Sequence, residues 1–170
     1  MSIDELLTRI SYGDETAFER LYLETRRGLY AFLFTYLHDH YDTEDAMQTV
    51  YLKLRRHISD YDPKKNGRAW MLEIAKNQAL SELRRKSRET QLEDPDIYPD
   101  RGIDTSFIIT ELMEKHLSEE ERRIIILHVL WGYKHREIAA ALGVPAATVR
   151  SKYTRATEKL KTALKEETNK

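Results

Sequence analysis

The stretch Glu137-Ile138-Ala139-Ala140-Ala141-Leu142-Gly143-Val144-Pro145-Ala146-Ala147-Thr148-Val149-Arg150 decides how the C-terminal part of this chain folds. Ile138 and Ala139 are followed by three residues, then Gly143, then five residues, then Val149. A small Ala lets two helices cross closely. Gly143 supplies a sharp turn between them, and Val149 fills the angle. Together they are the signature of a helix-turn-helix. The second helix is predicted to start near Ala146, with Val149, Tyr153, Ala156, Leu160 and Ala163 inward. Arg150, Ser151, Lys152 and Arg155 are then mostly outward, where the first turns of a recognition helix meet base edges and phosphates in the major groove. A helical hairpin with a basic surface has the same periodicity. The joint fit of Ala, Gly, Val and outward basic residues favours DNA binding. Upstream, Ser118 to Glu121 reads as a capping box that opens a helix through Ile124, Leu127 and Leu130, with Gly132 as its stop.

The N-terminal half is helical by the same reasoning. Phe18, Leu21 and Tyr22, then Leu29, Phe32, Leu33, Tyr36 and Leu37, recur at spacings of three and four, which predicts one or two amphipathic helices. Asp42 is placed to cap the next helix, with Glu44 and Asp45 in its first turn where the dipole favours anions. Ala46, Met47, Val50, Tyr51 and Leu54 form its apolar stripe, and Asp45, Gln48 and Lys53 face outward. Tyr61-Asp62-Pro63-Lys64-Lys65-Asn66-Gly67 has the composition of a loop. A further helix is predicted from about Ala69 to Ser87, with Met71, Ile74, Ala75, Ala79 and Leu83 on one side and Glu73, Asn77, Ser81, Arg84 and Arg88 on the other. It ends in Arg84-Arg85-Lys86-Ser87-Arg88. Cations there complement the helix dipole, and they also suit a phosphate backbone beside a lysine-bearing loop.

Charge divides the chain. The 170 residues carry a net charge of −1, but residues 1–88 are at +1, residues 89–116 at −6 and residues 117–170 at +4. The acidic middle contains Glu93-Asp94-Pro95-Asp96-Ile97-Tyr98-Pro99-Asp100. Proline and like-charge repulsion oppose a helix there. The predicted architecture is all-α: a helical domain over 1–88, an acidic linker over 89–110, and a helix-turn-helix domain over 111–170.

Composition excludes several classes. With no cysteine there is no disulfide framework, thiol nucleophile or Cys-based zinc site. With 34% charged residues, no stretch approaches the roughly 20 apolar residues of a membrane span. The polar, acidic start at Met1 to Ile10 does not read as a secretory signal, so a cytoplasmic protein with no membrane insertion is expected. His38-Asp39-His40-Tyr41-Asp42-Thr43-Glu44-Asp45 has metal-ligand chemistry, but His57, His116, His128 and His135 show no spacing that completes a site. It reads better as a polar interhelix loop with a cap. No phosphate loop, Walker motif or nucleophile elbow is present. No catalytic residue, metal or cofactor is expected.

The chain resembles the extracytoplasmic-function (ECF) sigma factors, the small two-domain sigma subunits of bacterial RNA polymerase. Asp42-Thr43-Glu44-Asp45-Ala46-Met47-Gln48-Thr49-Val50-Tyr51-Leu52 is similar to that family's polymerase-docking helix. Arg68-Ala69-Trp70-Met71-Leu72-Glu73-Ile74-Ala75-Lys76-Asn77 and Leu83-Arg84-Arg85-Lys86 are similar to its −10 promoter-reading segment. Leu117-Ser118, Arg122, Glu137-Ile138-Ala139, Leu142-Gly143-Val144-Pro145 and Thr148-Val149-Arg150-Ser151-Lys152 are similar to its −35-reading helix-turn-helix. Thr49, Gly67, Lys134 and Ala147 depart from the family pattern, which more often has an acidic residue, an aromatic, a Ser or Thr, and a Gly there.

The resemblance implies a non-enzymatic initiation factor. Asp45, Gln48, Thr49 and Tyr51 would dock on the clamp of the large catalytic subunit of core RNA polymerase, with the flap as a further contact. Tyr61, Lys64, Lys65, Asn66, Asn77, Arg84, Arg85 and Arg88 would meet the −10 DNA. Tyr61 would offer a stacking face and Asn66 amide hydrogen bonds to a flipped base. Ala147, Thr148, Arg150, Ser151, Lys152 and Arg155 would read the −35 element. Trp70 would pack between helices. An anti-sigma factor is implied as a partner. The competing reading is a helix-turn-helix regulator that acts without being a polymerase subunit; it leaves the Arg84–Arg88 cluster and the docking-like helix without a purpose.

Overall fold

Ser2 opens the chain's first helix. Its hydroxyl accepts from the Glu5 N–H at 3.2 Å, and the Glu5 carboxylate accepts from the Ser2 N–H at 2.8 Å. This reciprocal box starts α1 (Ile3–Ser11), which buries Leu6, Leu7 and Ile10. Composition alone marks this segment only as polar and acidic. The Ser-x-x-Glu pattern and the spacing of those three apolar residues are the signals that place a helix here. The computed structural model describes residues 1–89 and 105–168. The chain divides into two compact units, Met1–Arg101 and Gly102–Lys170.

In the first unit Asp14 accepts from the Ala17 N–H at 3.1 Å and opens α2 (Glu15–Leu37), a single helix. It ends where His38 takes a left-handed conformation, φ 51°. The chain restarts at once: Asp39 Oδ1 accepts from the Asp42 N–H at 2.9 Å and opens α3 (His40–Arg56). The cap is therefore Asp39 and not Asp42. The left-handed turn at His38 leaves Asp39 as the last extended residue, and Asp42 falls in the first helical turn, paired with Lys86. A 3-10 turn at Ile58–Asp60 and a loop lead to α4 (Gly67–Glu89). Asn66 Oδ1 accepts from the Ala69 N–H at 3.1 Å, so α4 is capped by Asn66 and starts two residues before the predicted Ala69.

The core of this unit is aliphatic: Leu6, Leu7, Leu21, Leu29, Leu33, Val50, Leu54 and Met71 are fully buried. Each such side chain contributes about 1.5–3 kcal/mol. The polar groups buried among them are paired. The Thr25 and Tyr51 hydroxyls are 2.8 Å apart, and Lys53 Nζ donates to Gln78 Oε1 at 2.6 Å.

The second unit begins earlier than expected. α5 spans Thr105–His116, so residues 105–110, assigned above to the linker, are helical. This helix contributes to the core of its unit, since Thr110, Met113 and Leu117, just past its end, are buried. The rest of the expected linker, with Pro95, Pro99 and Gly102, lies outside the described residues. The Ser118–Glu121 capping box is present, with the Glu121 carboxylate accepting from the Ser118 N–H at 2.9 Å, and opens α6 (Glu119–Ile125). The continuation through Ile126–Leu130 is a π-type turn and not α-helix. Glu137 Oε2 accepts from the Lys134 N–H at 2.6 Å at the start of α7 (His135–Leu142), which supplies part of what a Ser or Thr cap would. Gly143 follows at φ 67°, left-handed backbone that disfavours any side chain. α8 (Ala146–Thr168) starts at the residue the sequence predicts.

Ala139 is 6% exposed and Val149 0%, and they form one cluster with Ile124 and Ile138. This is the helix-turn-helix core that the spacing requires. Among the described residues there is no strand, and no helix is long and apolar enough to cross a membrane.

Val149→Ala removes two methyl groups from a fully enclosed position. It is expected to cost the C-terminal unit about 1.5–3 kcal/mol. Urea unfolding of the full chain checks this in a Trp70→Phe background, where buried Trp131 is the sole indole and reports this unit.

Candidate docking face and nucleic-acid interface

Each expected site residue sits on an element whose other side is committed to the core. On α3, Ala46, Val50 and Leu54 are buried, which turns Asp45 and Gln48 to solvent and leaves Thr49 half-buried. The Thr49 hydroxyl donates to the Asp45 carbonyl at 2.9 Å and is thus partly spent on its own helix. Tyr51 is not on this face. It is 5% exposed, its ring is 5.0 Å from that of Tyr22, and its hydroxyl meets Thr25. Burial raises its phenol pKa far above the ordinary value. Tyr51 is a core residue, as its place in the apolar stripe indicated, and its assignment to docking is corrected. Leu52 was overlooked: it is 66% exposed, one turn beyond Gln48. An apolar side chain of that size held in water beside Asp45 and Gln48 marks the face more clearly than the polar residues do.

The loop before α4 presents Lys64, Lys65 and Asn66 to solvent. Asn66 Oδ1 is occupied by the α4 cap, so only the rest of its amide is available. Tyr61 does not offer a stacking face. It is 6% exposed, its ring packs against Trp70 at 5.2 Å, and its hydroxyl donates to Asp4 Oδ1 at 3.0 Å. Burial first, then the Asp4 carboxylate, pushes its phenol up to about 12. Trp70 is half-buried against that ring. The loop's conformation also accounts for Gly67: a Cβ there would lie 2.6 Å from Leu7 Cδ1 and 3.0 Å from Asp4 Oδ1. An aromatic at this position is excluded by α1.

Along α4, Glu73, Asn77, Ser81, Arg84 and Arg88 are all exposed, as the 3.6 period predicts. Ser81, Arg84, Arg85 and Arg88 line a depression of about 440 Å³. The cluster is not uniform. Arg85 pairs with Glu82 at 3.0 Å and Lys86 with Asp42. Arg84 donates to the Leu80 carbonyl at 3.1 Å and keeps its charge unpaired. Arg84 and Arg88 are thus the exposed cations of this stretch without a carboxylate partner among the described residues.

On α8, Ala147, Arg150, Ser151 and Arg155 are exposed and Thr148 is half-buried. Thr154 was overlooked and is exposed one turn after Arg150. Lys152 is turned away from its neighbours: it pairs with Glu120 of α6 and is half-buried, so its placement among the outward base-reading residues is corrected. Lys159 makes a second tie to α6, with Nζ at 2.8 and 3.0 Å from the Glu121 carboxylate oxygens. Burial alone would raise the Glu121 pKa; Lys159 and the Ser118 N–H outweigh it and lower it. Both pairs fix the pitch of the recognition helix on its support.

Three rings join the same elements. His128, His135 and Tyr153 pack at centroid separations of 4.3 to 5.0 Å, and His128 Nδ1 lies 2.7 Å from the Tyr133 carbonyl oxygen. His135 Nε2 is buried with no hydrogen-bond partner. Burial, then His128 and Arg150, lower the His135 pKa below its ordinary value. Among the described residues no group of three or more His, Cys, Asp or Glu is arranged to hold a metal. In the acidic run near α3, Asp39 is a cap, Asp42 meets Lys86 and the His40 ring lies 4.6 Å from that of Phe34.

Two helical units, one ending in exposed arginines and one a helix-turn-helix with an outward basic face, define a modular DNA-binding protein. The sequence model of the Sigma-70 region 2 family matches residues 21–89, and that of Sigma-70 region 4 matches residues 108–160. Together they take in more than two thirds of the chain. The ECF RNA polymerase sigma factor SigK of Mycobacterium bovis (strain BCG) is 28% identical over 175 residues, covering 95% of this chain and 93% of that protein. SigK of Mycobacterium sp. (strain KMS) is 27% identical over 164 residues, covering 88% and 84%. Among solved structures, CnrH in complex with the cytosolic domain of CnrY matches with a TM-score of 0.57 and 22% identity, over 96% of this chain and 97% of that one. The sigma factor RpoE in complex with the anti-sigma factor NepR from Bartonella quintana matches with a TM-score of 0.57 and 26% identity, over 87% and 96%. The chain belongs to the ECF sigma factor family.

A His whose pKa is lowered on folding withdraws stability as pH falls: the unfolded chain takes the proton first. The melting temperature of the C-terminal unit is expected to be full above about pH 6.5 and to decline toward pH 5. His135→Phe is expected to flatten the decline. Trp131 fluorescence across that range, in the Trp70→Phe background, checks it.

Proposed function

We propose that the exposed face of α3, Asp45, Gln48 and Thr49 together with Leu52, docks on the clamp of the large catalytic subunit of core RNA polymerase. The observation that carries this reading is the pairing on one helix face of a 66%-exposed Leu52 with Asp45 and Gln48, whose side chains have no partner among the described residues. Apolar area at the centre of a polar patch is what an interface uses for affinity, and the charges around it set register.

Once docked, the N-terminal unit meets the −10 element. Lys64 and Lys65 neutralise phosphates, and the loop that carries them takes up a base flipped from the non-template strand. Asn66 keeps one end of its amide for that base. Flipping costs a few kcal/mol of unstacking, which the loop's pocket offsets. Asn77, Arg84 and Arg88 follow the adjacent duplex, with Arg85 contributing charge while held by Glu82. The helix-turn-helix reads the −35 element through Ala147, Thr148, Arg150, Ser151 and Arg155, and the C-terminal unit touches the flap. The protein acts by position and electrostatics without covalent chemistry, and it works in the cytoplasm with no membrane insertion. An anti-sigma factor holds the free chain; the partner in the similar RpoE structure, NepR, supports this.

The first test is co-elution with bacterial core RNA polymerase on a sizing column. The parent chain is expected to co-elute and an Asp45→Arg/Gln48→Ala variant to be lost from the complex. Specific duplex binding by the chain alone, with no co-elution, overturns the reading in favour of a polymerase-independent regulator. A second test addresses Arg84 and Arg88. Replacing both by Ala is expected to reduce the slope of log K against log salt for promoter binding by about 0.9 for each phosphate no longer neutralised, measured on the holoenzyme.

A further inference from the structure

The loop from Tyr61 to Asn66 is held from outside itself. One atom ties both ends: Asp4 Oδ1, in the first turn of α1, accepts the Tyr61 hydroxyl at 3.0 Å and the Gly67 N–H at 2.6 Å. The Tyr61 hydroxyl lies 3.4 Å from the Lys65 carbonyl oxygen within the loop. Asp4 is itself fixed, by the Ser2–Glu5 box before it and by the Thr8 hydroxyl donating to its carbonyl at 2.8 Å. Leu7, one turn on, fills the space where a Gly67 side chain would be.

We infer that Asp4 is a positioning residue for base selection: its carboxylate clamps the two ends of the Tyr61–Gly67 segment and so sets the shape in which Lys64, Lys65 and Asn66 meet a −10 base. This rests on the proposed function above, in which that loop takes up the base. The physical argument is preorganisation. A loop fixed before binding does not lose its conformational freedom when the base enters, and a base of the wrong shape cannot remould it. The clamp is also permanent in the working range of pH, because the Tyr61 phenol keeps its proton up to about 12 and always donates. The acceptor needs only lone pairs on one oxygen. An amide oxygen in the same place serves equally well, whereas a methyl does not.

The test uses the full chain assembled with core RNA polymerase and a panel of fork-junction DNAs. Their −10 sequence is first selected by the parent holoenzyme from a randomised library, then varied one non-template base at a time. Asp4→Ala is expected to lower discrimination between the selected and the varied bases by about tenfold, on the scale of a single-base preference. Its co-elution with polymerase and its −35 preference are expected to stay at parent values. Asp4→Asn is expected to restore discrimination. Tyr61→Phe, which keeps the ring against Trp70 and removes one arm of the clamp, is expected to fall between and serves if Asp4→Ala does not fold. Unchanged −10 discrimination in Asp4→Ala, or in Tyr61→Phe where it stands in, overturns the inference. So does an equal loss of −10 and −35 preference, which marks a general structural defect. A parent holoenzyme that selects no −10 sequence at all overturns the functional reading and the inference with it.

Discussion

Close approach of helices is the constraint to which both units answer. Helices pack at separations set by the side chains between them. In the first unit Ala46, Ala75 and Ala79 are fully buried on α3 and α4, and Gly67 stands against Leu7. In the second, Ala139, Ala156 and Ala163 are buried with Val149. Small residues inside force long ones outside. Every residue assigned to docking or DNA that remains exposed does so because its helix commits the opposite side to such a seam.

The second determinant is how positive charge is apportioned. Carboxylates hold Arg85, Lys86, Lys152 and Lys159 against their own units. Exposed pairs of this kind contribute little stability, about 0–1 kcal/mol each. Their larger effect is on direction: they orient helices and remove those cations from the outward faces. Arg84, Arg88, Arg150 and Arg155 are what remains exposed for phosphate or base. A chain with a net charge of −1 thereby presents local positive faces.

Much of this was legible in the sequence. The Ala139–Gly143–Val149 spacing led to a helix-turn-helix with the right first residue at Ala146, and the Ser118–Glu121 box was read correctly. The periodicity that put Glu73, Asn77, Ser81, Arg84 and Arg88 on one side of α4 agrees with their exposure. The errors have a common origin. Tyr51, Tyr61 and Lys152 were assigned by position in a motif, and each is claimed by a partner distant in sequence: Thr25, Asp4 and Glu120. A local pattern does not contain those partners. The misplaced cap at Asp42 has a different cause, since both Asp39 and Asp42 satisfy a capping rule and only the left-handed turn at His38 decides between them. The helical start of α5 was obscured because the acidic, proline-bearing composition before it was extended too far.

The π-type turn at Ile126–Leu130 has a consequence for how this sequence can change length. A π turn carries more residues per turn than an α-helix. Deleting one residue there would let the segment relax into regular α-helix and would rotate everything after it by about 100° relative to Ile124. Trp131 and the start of α7 would then leave the seats they occupy against the unit's core. The same deletion in a surface loop is absorbed. The register of α7 and α8 against α6 is thus written into a residue count, and this short turn is where the C-terminal unit tolerates a change in that count least.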